Sequence, residues 1–201
     1  MGNINAKLQV KSCMKLFYRI ILIFLFAVAF CNSASAQYIA IKNNLLYDFT
    51  GTLNLGGEIR CSDTQSFNLS VNYNPWSRKE NKKTKFVLVQ PEYRWWLNEV
   101  FMGGFLGAQA HFAQYNFAGM TPFTTIKNNR YQGNLFGCGF TYGYQWLLSP
   151  FWSLEASLSV GYAYMSYEKY GPKKGDALLR KGHAHYFGPT QVSLSFVYFI
   201  Q

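Results

Sequence analysis

Two histidines and two serines near the end of the chain are the residues best placed for hydrolytic chemistry. His183 and His185 flank a single alanine, and Ser193 and Ser195 follow on the same segment. A nucleophilic hydroxyl needs a base within hydrogen-bond reach, but the eight residues from His185 to Ser193 span about 26 Å when extended. We therefore expect no catalytic residues and no enzymatic activity.

The same two histidines are the best candidates for a metal site. Both rings would lie on one face of an extended segment, but no cysteine or carboxylate stands nearby as a third ligand. Structural and catalytic metal sites use at least three protein ligands. We expect no metal and no cofactor.

Charged residues at alternate positions form the second group that could do chemistry. Glu58 and Arg60 are separated by one residue, as are Glu92 and Arg94. Side chains two residues apart point to the same face of a β-strand, so each pair would place a carboxylate beside a guanidinium group. Whether such pairs form a site or neutralise each other depends on the elements that hold them.

The segment from Trp152 to Tyr164 indicates what those elements are. Its alternate residues are apolar or aromatic, and the residues between them are small or polar. The segment is about thirteen residues long, against about five or six for an ordinary strand. A long strand with one apolar face and an aromatic residue at each end is typical of a transmembrane β-strand.

Seven further segments alternate in the same way, and no helical period of comparable length occurs after residue 36. The eight predicted strands are Tyr38–Phe49, Leu53–Arg60, Ser66–Tyr73, Phe86–Trp96, Phe101–Gln114, Gln132–Trp146, Trp152–Tyr164 and Tyr186–Ile200. We predict an all-β fold, an eight-stranded antiparallel transmembrane β-barrel of the outer-membrane type, over residues 37–201.

The connections between these strands suggest which end of the barrel faces outward. Four of the seven are short, the first of them at Thr50–Thr52, and the three long ones are Asn74–Lys85, Tyr115–Tyr131 and Met165–His185. Short periplasmic turns and longer external loops are typical of outer-membrane barrels, so we expect both chain ends on the periplasmic side.

Aromatic residues near the strand ends predict a girdle at each rim. The inner girdle would hold Trp95, Trp96, Trp146 and Trp152. The outer girdle would hold Tyr73, Trp76, Tyr115, Tyr131, Tyr164 and Tyr186.

The alternation also places a polar network inside the barrel. Its predicted members are Lys42, Asp48, Glu58, Arg60, Glu92, Arg94, His111 and Glu155. The interior of an eight-stranded barrel is filled by side chains, and buried charges must be paired. We therefore expect a plug in which Arg94 or Arg60 is the partner of Glu155. The alternative is a narrow gated channel whose ion pairs exchange partners.

Basic residues concentrate in the predicted external loops. The set that we single out is Arg78, Lys79, Lys82, Lys83, Lys85, Arg180 and Lys181. At the outer rim these side chains could pair with the phosphates of lipopolysaccharide, although solvated loops are often charged without any ligand. The expected partners are outer-membrane lipid, lipopolysaccharide and an unidentified surface or envelope protein. We expect no nucleic acid, and a monomer.

Residues 1–36 have the order of features of a secretory signal peptide. Four basic residues precede the apolar run Ile20–Phe30, and Ala34-Ser35-Ala36 follows it. Eleven apolar residues are too few for a helix that spans a bilayer, and the pattern predicts cleavage before Gln37. Met14 is an alternative start. Cleavage would remove four of the 19 basic residues and none of the 9 acidic ones, which lowers the net charge from +10 to +6.

Two cysteines follow the predicted cleavage site. Cys61 lies near a predicted turn, and Cys138 lies in the middle of a predicted strand. The two would not meet, so we expect no disulfide despite the oxidising compartment.

Several short strings along the chain resemble one family. They are KNNLLYD (42–48), NLGGE (54–58), NYNPW (72–76), QPEYRWW (90–96), RYQG (130–133), YGYQW (142–146) and YFGPT (186–190). Together they resemble an uncharacterised outer-membrane family common in Bacteroidetes, catalogued as domain of unknown function 3575. The resemblance implies a small outer-membrane barrel of the OmpA/OmpX kind and no particular activity.

These observations favour one function over two others. The first is a small barrel in the outer membrane of a Gram-negative bacterium, with a plugged lumen and a structural or surface-interaction role through its basic loops. The second is a narrow gated channel for small solutes, and the third is a lipid A-modifying enzyme.

Overall fold

The computed structural model describes residues 39–76, 83–118, 129–171 and 177–200. The chain divides into two compact units, Met1–Ser35 and Ala36–Gln201, and every described residue belongs to the second. The predicted signal peptide therefore lies outside the described residues.

The described residues form a closed antiparallel barrel. Its strands are β1 Ile39–Asn44, β2 Leu53–Arg60, β3 Gln65–Asn74, β4 Lys83–Trp96, β5 Gly103–Ala118, β6 Arg130–Leu147, β7 Trp152–Tyr170 and β8 Leu178–Ile200. Each strand pairs with the next in the chain, and β8 returns to pair with β1. The predicted all-β, eight-stranded antiparallel fold is confirmed.

The middle of the lumen is polar, and the outer face of the barrel is apolar. Glu58, Arg94 and Glu155 are almost completely buried in the lumen, whereas Phe140 is 78% exposed on the outer face. Successive strand side chains point to opposite faces, so the alternation in the sequence is what sends the two classes to opposite sides.

One turn of helix replaces the end of the predicted first strand. Strand β1 ends at Asn44, and helix α1 runs from Leu45 to Phe49. The side chain of Asn44 accepts a hydrogen bond from the Leu46 backbone N–H, an N-cap contact that stabilises the first turn. Gly51, with a φ of 72°, then reverses the chain into β2. In the described part of the chain, no helix is long and apolar enough to cross a membrane.

The wall of the barrel differs in height around its circumference. Strand β1 has 6 residues and β8 has 23. Strands β7 and β8 continue beyond their predicted outer ends at Tyr164 and Tyr186. The apolar alternation stops there, but polar and charged cross-strand pairs keep the hairpin paired.

A β-bulge in β8 changes which of its residues face outward. Ser159 lies opposite Gln191, and the next residue of β7 lies opposite Pro189, so one residue of β8 is extra. Proline has no N–H to donate to the ladder, and it is tolerated at bulges because the ladder is interrupted there. Beyond the bulge Phe187 is exposed outward, and Tyr186 lines an interior cavity.

The predicted girdles are therefore wrong at three positions. Tyr186 and Tyr115 line the lumen, and Trp96 is buried at its inner end. Trp96 directly follows the outward Trp95, and neighbouring strand residues face opposite sides.

An apolar layer closes the inner end of the lumen. It consists of Ala40, Trp96, Phe101, Phe105, Val197 and Phe199, with Val100 packed against it. The rings of Trp96 and Phe105 are 4.8 Å apart. We refer to these residues as the inner apolar layer.

The cysteines do not pair with each other. Cys138 is a free, exposed residue of β6, and Cys61 is disulfide-bonded. The expectation that these two do not meet is confirmed, but the expectation of no disulfide is wrong for Cys61.

Candidate functional site

Five charged side chains meet in the lumen beside the inner apolar layer. They are Lys42 from β1, Glu58 from β2, Glu92 and Arg94 from β4, and Glu155 from β7. All five are almost fully buried. We refer to them as the charge cluster.

Arg94 is the centre of the charge cluster. Its Nη1 lies 2.9 Å from Glu58 Oε2 and 2.8 Å from Glu155 Oε2. Its Nη2 lies 2.6 Å from Glu92 Oε2, and its Nε donates to the same oxygen. Of the two partners expected for Glu155, Arg94 is the one present. One guanidinium group thus links three strands, which suits its fixed fork of five donors.

Lys42 supplies the second cation and closes the ring of charges. Its ammonium group pairs with both Glu58 and Glu155. Two cations thus face three carboxylates, and the cluster has a formal charge of −1 when all five are ionised. Each ionised group has a direct partner of opposite sign, as burial requires.

Neutral polar side chains add hydrogen bonds to the cluster. The Ser66 hydroxyl donates to Glu58 and accepts from the indole N–H of Trp96 at 2.7 Å. The amide of Asn68 donates to Glu92 at 3.3 Å. These contacts join the charge cluster to the inner apolar layer.

The strand register brings these residues to one level of the barrel. Glu58 lies opposite Asn68, and Asn68 lies opposite Glu92 on the next strand. Gly107 on β5 leaves the room that the cluster needs, since a Cβ there would lie 2.5 Å from a carboxylate oxygen of Glu92.

Phe105 covers the guanidinium group from the inner side. The Cζ of Arg94 lies 4.2 Å from the centre of the Phe105 ring. A cation over an aromatic face is attracted by the ring quadrupole, more strongly when both are desolvated. Sequence analysis missed Phe105, Ser66 and Trp96 as neighbours of the cluster. Their inward position follows from the same alternation that placed Arg94 inward.

Three predicted members of the network lie elsewhere. Asp48 is exposed on α1 and accepts from Asn54 at 2.7 Å, because the predicted strand ends before it. Arg60 stands at the end of β2 and pairs with Asp63 in the adjoining turn. His111 is buried in the lumen, outside the charge cluster.

A small polar void adjoins the charge cluster on its outer side. It has a volume of about 30 Å³ and is lined by Lys42, Arg94, Glu155 and the Tyr47 side chain, among others. This volume suffices for a water molecule. The cluster and the inner apolar layer occupy neighbouring levels of the lumen, and the chemistry they support is structural cross-linking of strands.

The histidine and serine candidates lie on different faces. Ser193 is buried in the lumen and shares a 2.6 Å hydrogen bond with Ser157. His185 is exposed and contacts the hydroxyl of Tyr162 through Nδ1. The rings of His183 and His185 are 5.9 Å apart. In the described ranges, no group of three or more His, Cys, Asp or Glu residues could hold a metal ion.

The basic residues of the predicted external loops are only partly described. Arg78, Lys79 and Lys82 lie outside the described residues. Lys83 begins β4, and an exposed Lys85 follows it. Arg180 and Lys181 are exposed on β8.

Lys181 forms an ion pair with Glu168 on the neighbouring strand. Its Nζ lies 2.7 Å from Glu168 Oε1, and the Tyr170 hydroxyl donates to the other oxygen at 2.6 Å. The hydrogen bond from Lys181, followed by that from Tyr170, lowers the pKa of Glu168 to about 2. The β7–β8 hairpin thus carries a charged pair beyond the apolar band of the strands.

Replacing Lys181 with serine is expected to raise the pKa of Glu168 toward the ordinary value for glutamate. Because the pKa of Glu168 is lowered, the pair stabilises the hairpin at pH values above the ordinary pKa of glutamate. This contribution is lost as the pH falls toward about 2. Titration of the Glu168 carboxyl ¹³C shift measures the change. Arg180→Ser, which removes the neighbouring charge, should leave the titration nearly unchanged; equal shifts in both variants would refute the assigned pair.

Comparison with known proteins places the chain in one family. A family model described as "Protein of unknown function (DUF3575)" matches residues 21–200. No curated protein and no solved structure matches the chain.

Proposed function

We propose that this chain, which belongs to the DUF3575 family of proteins of unknown function, is a small outer-membrane β-barrel with a side-chain-plugged lumen. The observation that carries the proposal is the inverted polarity of the barrel, with ion pairs inside and large apolar residues outside. Where the barrel is closed, the backbone groups of each strand are paired with a neighbouring strand. The hydrocarbon core of a membrane requires this pairing because it holds no water to bond them.

The outer face has the band expected of a membrane-spanning barrel. On β6 the outward residues from Phe136 to Trp146 are exposed and nearly all aromatic. Trp95, Trp146 and Trp152 are exposed near one end of their strands, and Tyr164 lies at the other end of the apolar stretch of β7. Aromatic side chains prefer the two membrane–water interfaces.

The filled lumen favours a non-conducting barrel over a gated channel. Two layers lie in series, the inner apolar layer and the charge cluster, and a solute path would require both to move. Arg94 alone contacts three carboxylates, so its displacement would leave buried charges without partners. We therefore assign the protein a structural or surface-interaction role.

The outer rim supports the choice of an anionic partner. Exposed basic residues occur there on β4 and β8, including Lys85 and Arg180, and further lysines and arginines belong to the adjoining loop sequences. Lipopolysaccharide carries phosphates, which ammonium and guanidinium groups bind by charge-assisted hydrogen bonds.

Serine at Lys82, Lys83 and Lys85 together is expected to reduce the lipopolysaccharide that co-purifies with the protein. The reason is the loss of three positive charges from one loop. Because salt screens these charges, the difference between the variant and the unaltered protein should shrink at high salt. Phosphate analysis of the purified protein measures it. A matched variant is Lys82, Lys83 and Lys85 to arginine, which keeps the three positive charges and should retain lipopolysaccharide. Unchanged retention in the serine variant would overturn the lipopolysaccharide contact.

Cysteines introduced at Arg180 and Asn98 are expected to react differently on intact cells. In a Cys138→Ser background, a membrane-impermeant maleimide should label position 180 and spare position 98, because the exposed β4–β5 turn faces the periplasm in the proposed orientation. Cells with a permeabilised outer membrane should show labelling at both positions. Equal labelling on intact cells would contradict the orientation, and labelling at 98 alone would reverse it.

A further inference from the structure

A second cavity occupies the outer half of the lumen. Its volume is about 270 Å³, and apolar side chains from five strands line most of it, among them Phe86, Leu88, Tyr115, Leu135 and Ala163. Tyr47 of α1 lines this cavity and also the small polar void beside the charge cluster. We refer to it as the outer cavity.

His111 lies in the wall of the outer cavity with no hydrogen-bond partner. His111 is 4% exposed, and neither its Nδ1 nor its Nε2 has a partner among the described residues. The Oε1 of Gln109, two residues earlier on β5, is also buried without a partner among the described residues, but Gln109 does not line the cavity. Buried polar groups in native proteins are nearly always hydrogen-bonded, so the two ring nitrogens of His111 point to a ligand that would satisfy them.

The sequence makes room for the His111 ring. Gly137 lies opposite His111 on β6. A Cβ at position 137 would lie 2.2 Å from His111 Nε2, so a side chain at that position would displace the ring. The histidine is thus accommodated at this place by its neighbouring strand.

The barrel wall is low on the side of β1, where helix α1 packs against β8. Strand β1 pairs with β8 only from Ser195 to Ile200, whereas β7 pairs with β8 out to Leu178. In the described part of the chain, no strand pairs with the β1-side edge of β8 beyond Ser195. Tyr186 and Pro189, which line the cavity, belong to this part of β8.

We propose that the outer cavity binds a single-chain amphiphile, with its alkyl chain against the apolar wall and its polar head hydrogen-bonded to His111. The cavity, at about 270 Å³, is slightly smaller than typical small-molecule pockets of about 300–1,000 Å³, so one chain fits and a diacyl lipid does not. An imidazole donates through at least one ring nitrogen, so the head must offer an acceptor. The carboxylate of a medium-chain fatty acid offers one, and so does the phosphate of a lysophospholipid.

Photo-crosslinking of the full chain in lipid nanodiscs tests this site. The probe is decanoic acid with a diazirine in its chain, and crosslinked residues are identified by mass spectrometry. We expect saturable labelling at inward residues such as Leu88 and Leu135, competed by decanoic acid and not by decane. Labelling confined to outward residues such as Phe140 would overturn the proposal, because it would show partition into the surrounding lipid.

Three variants separate the site from a general effect on the fold. Leu135→Trp should abolish the saturable labelling by filling the cavity, and His111→Leu should reduce it at least tenfold while leaving an apolar wall. Phe140→Leu, on the outward face, should leave it unchanged. Heat-dependent electrophoretic mobility verifies that each variant is a folded barrel. Undiminished labelling in His111→Leu would refute the role of the histidine.

The source of the ligand is decided by competition. Stronger competition by lysophosphatidylethanolamine than by decanoic acid would assign the site to membrane lipid, and the reverse to free fatty acid. The nanodisc measurement does not depend on which membrane the protein occupies, so its failure is distinguishable from failure of the outer-membrane proposal.

Discussion

Replacing Arg94 with methionine is expected to lower the free energy of unfolding by about 3–5 kcal/mol. Arg94 contributes ionic contacts to Glu58, Glu92 and Glu155, and it is 2% exposed. Methionine fills a similar volume without a charge, so Lys42 would be left to balance three buried carboxylates. Denaturant unfolding, followed by tryptophan fluorescence, measures the loss.

Arg60→Met is the matched control for this effect. Arg60 pairs with Asp63 in a solvent-exposed turn, and such surface pairs contribute about 0–1 kcal/mol. If Arg94→Met were as mild as Arg60→Met, the carboxylates around Arg94 would have to be protonated, and the charge cluster would carry no ion pairs.

A second change should restore part of the loss. Glu92 has Arg94 as its cationic partner, and Lys42 serves Glu58 and Glu155. In the double variant Arg94→Met, Glu92→Gln the formal charge of the cluster returns to −1. We therefore expect the double variant to be more stable than Arg94→Met alone, which a purely volumetric role of Arg94 would not produce.

The sequence predicts the charge cluster to the extent that alternation alone can do so. Position within a strand decides that Glu58, Arg94 and Glu155 face inward, and the closed barrel then forces them to pair. Arg60 has the same parity as Glu58, but it stands at the strand end, where a turn aspartate is closer. A pattern of period two carries no information on such local competition.

Two local features escape the alternation for identifiable reasons. Helix α1 lies in a segment whose sequence alternates like a strand. Only the capping side chain of Asn44, where the helix begins, and the turn at Gly51, after it ends, indicate the helix. The β8 bulge depends on one extra residue beside Pro189. Because a shift of one residue exchanges the two faces, this single insertion brings Tyr186 into the lumen and creates part of the outer cavity wall.

The second large effect is expected at Phe105. Phe105 is fully buried, and it packs on Trp96 and on the Arg94 guanidinium group. Truncation of a buried phenylalanine to alanine typically costs about 3–5 kcal/mol. We expect Phe105→Ala to fall in this range, since the variant loses both the apolar contact and the cover over a buried cation.

The opposing glycine makes this contact testable by a double-mutant cycle. A Cβ at Gly143 would lie 2.3 Å from Phe105 Cζ, so Gly143→Ala is expected to destabilise the protein by about 1–3 kcal/mol through overpacking. In the Phe105→Ala background the added methyl group would no longer meet the ring, and its contact with the Ser157 Cβ at 2.9 Å would remain. The two changes should therefore be non-additive by about 0.5–3 kcal/mol, in the favourable direction.

Gly57→Ala is the matched control, because a Cβ there meets nothing within 4 Å, and it should be additive with Phe105→Ala. Additivity of Gly143→Ala with Phe105→Ala would mean that the ring does not occupy the space beside Gly143, and the closure of the lumen at this level would have to rest on other residues.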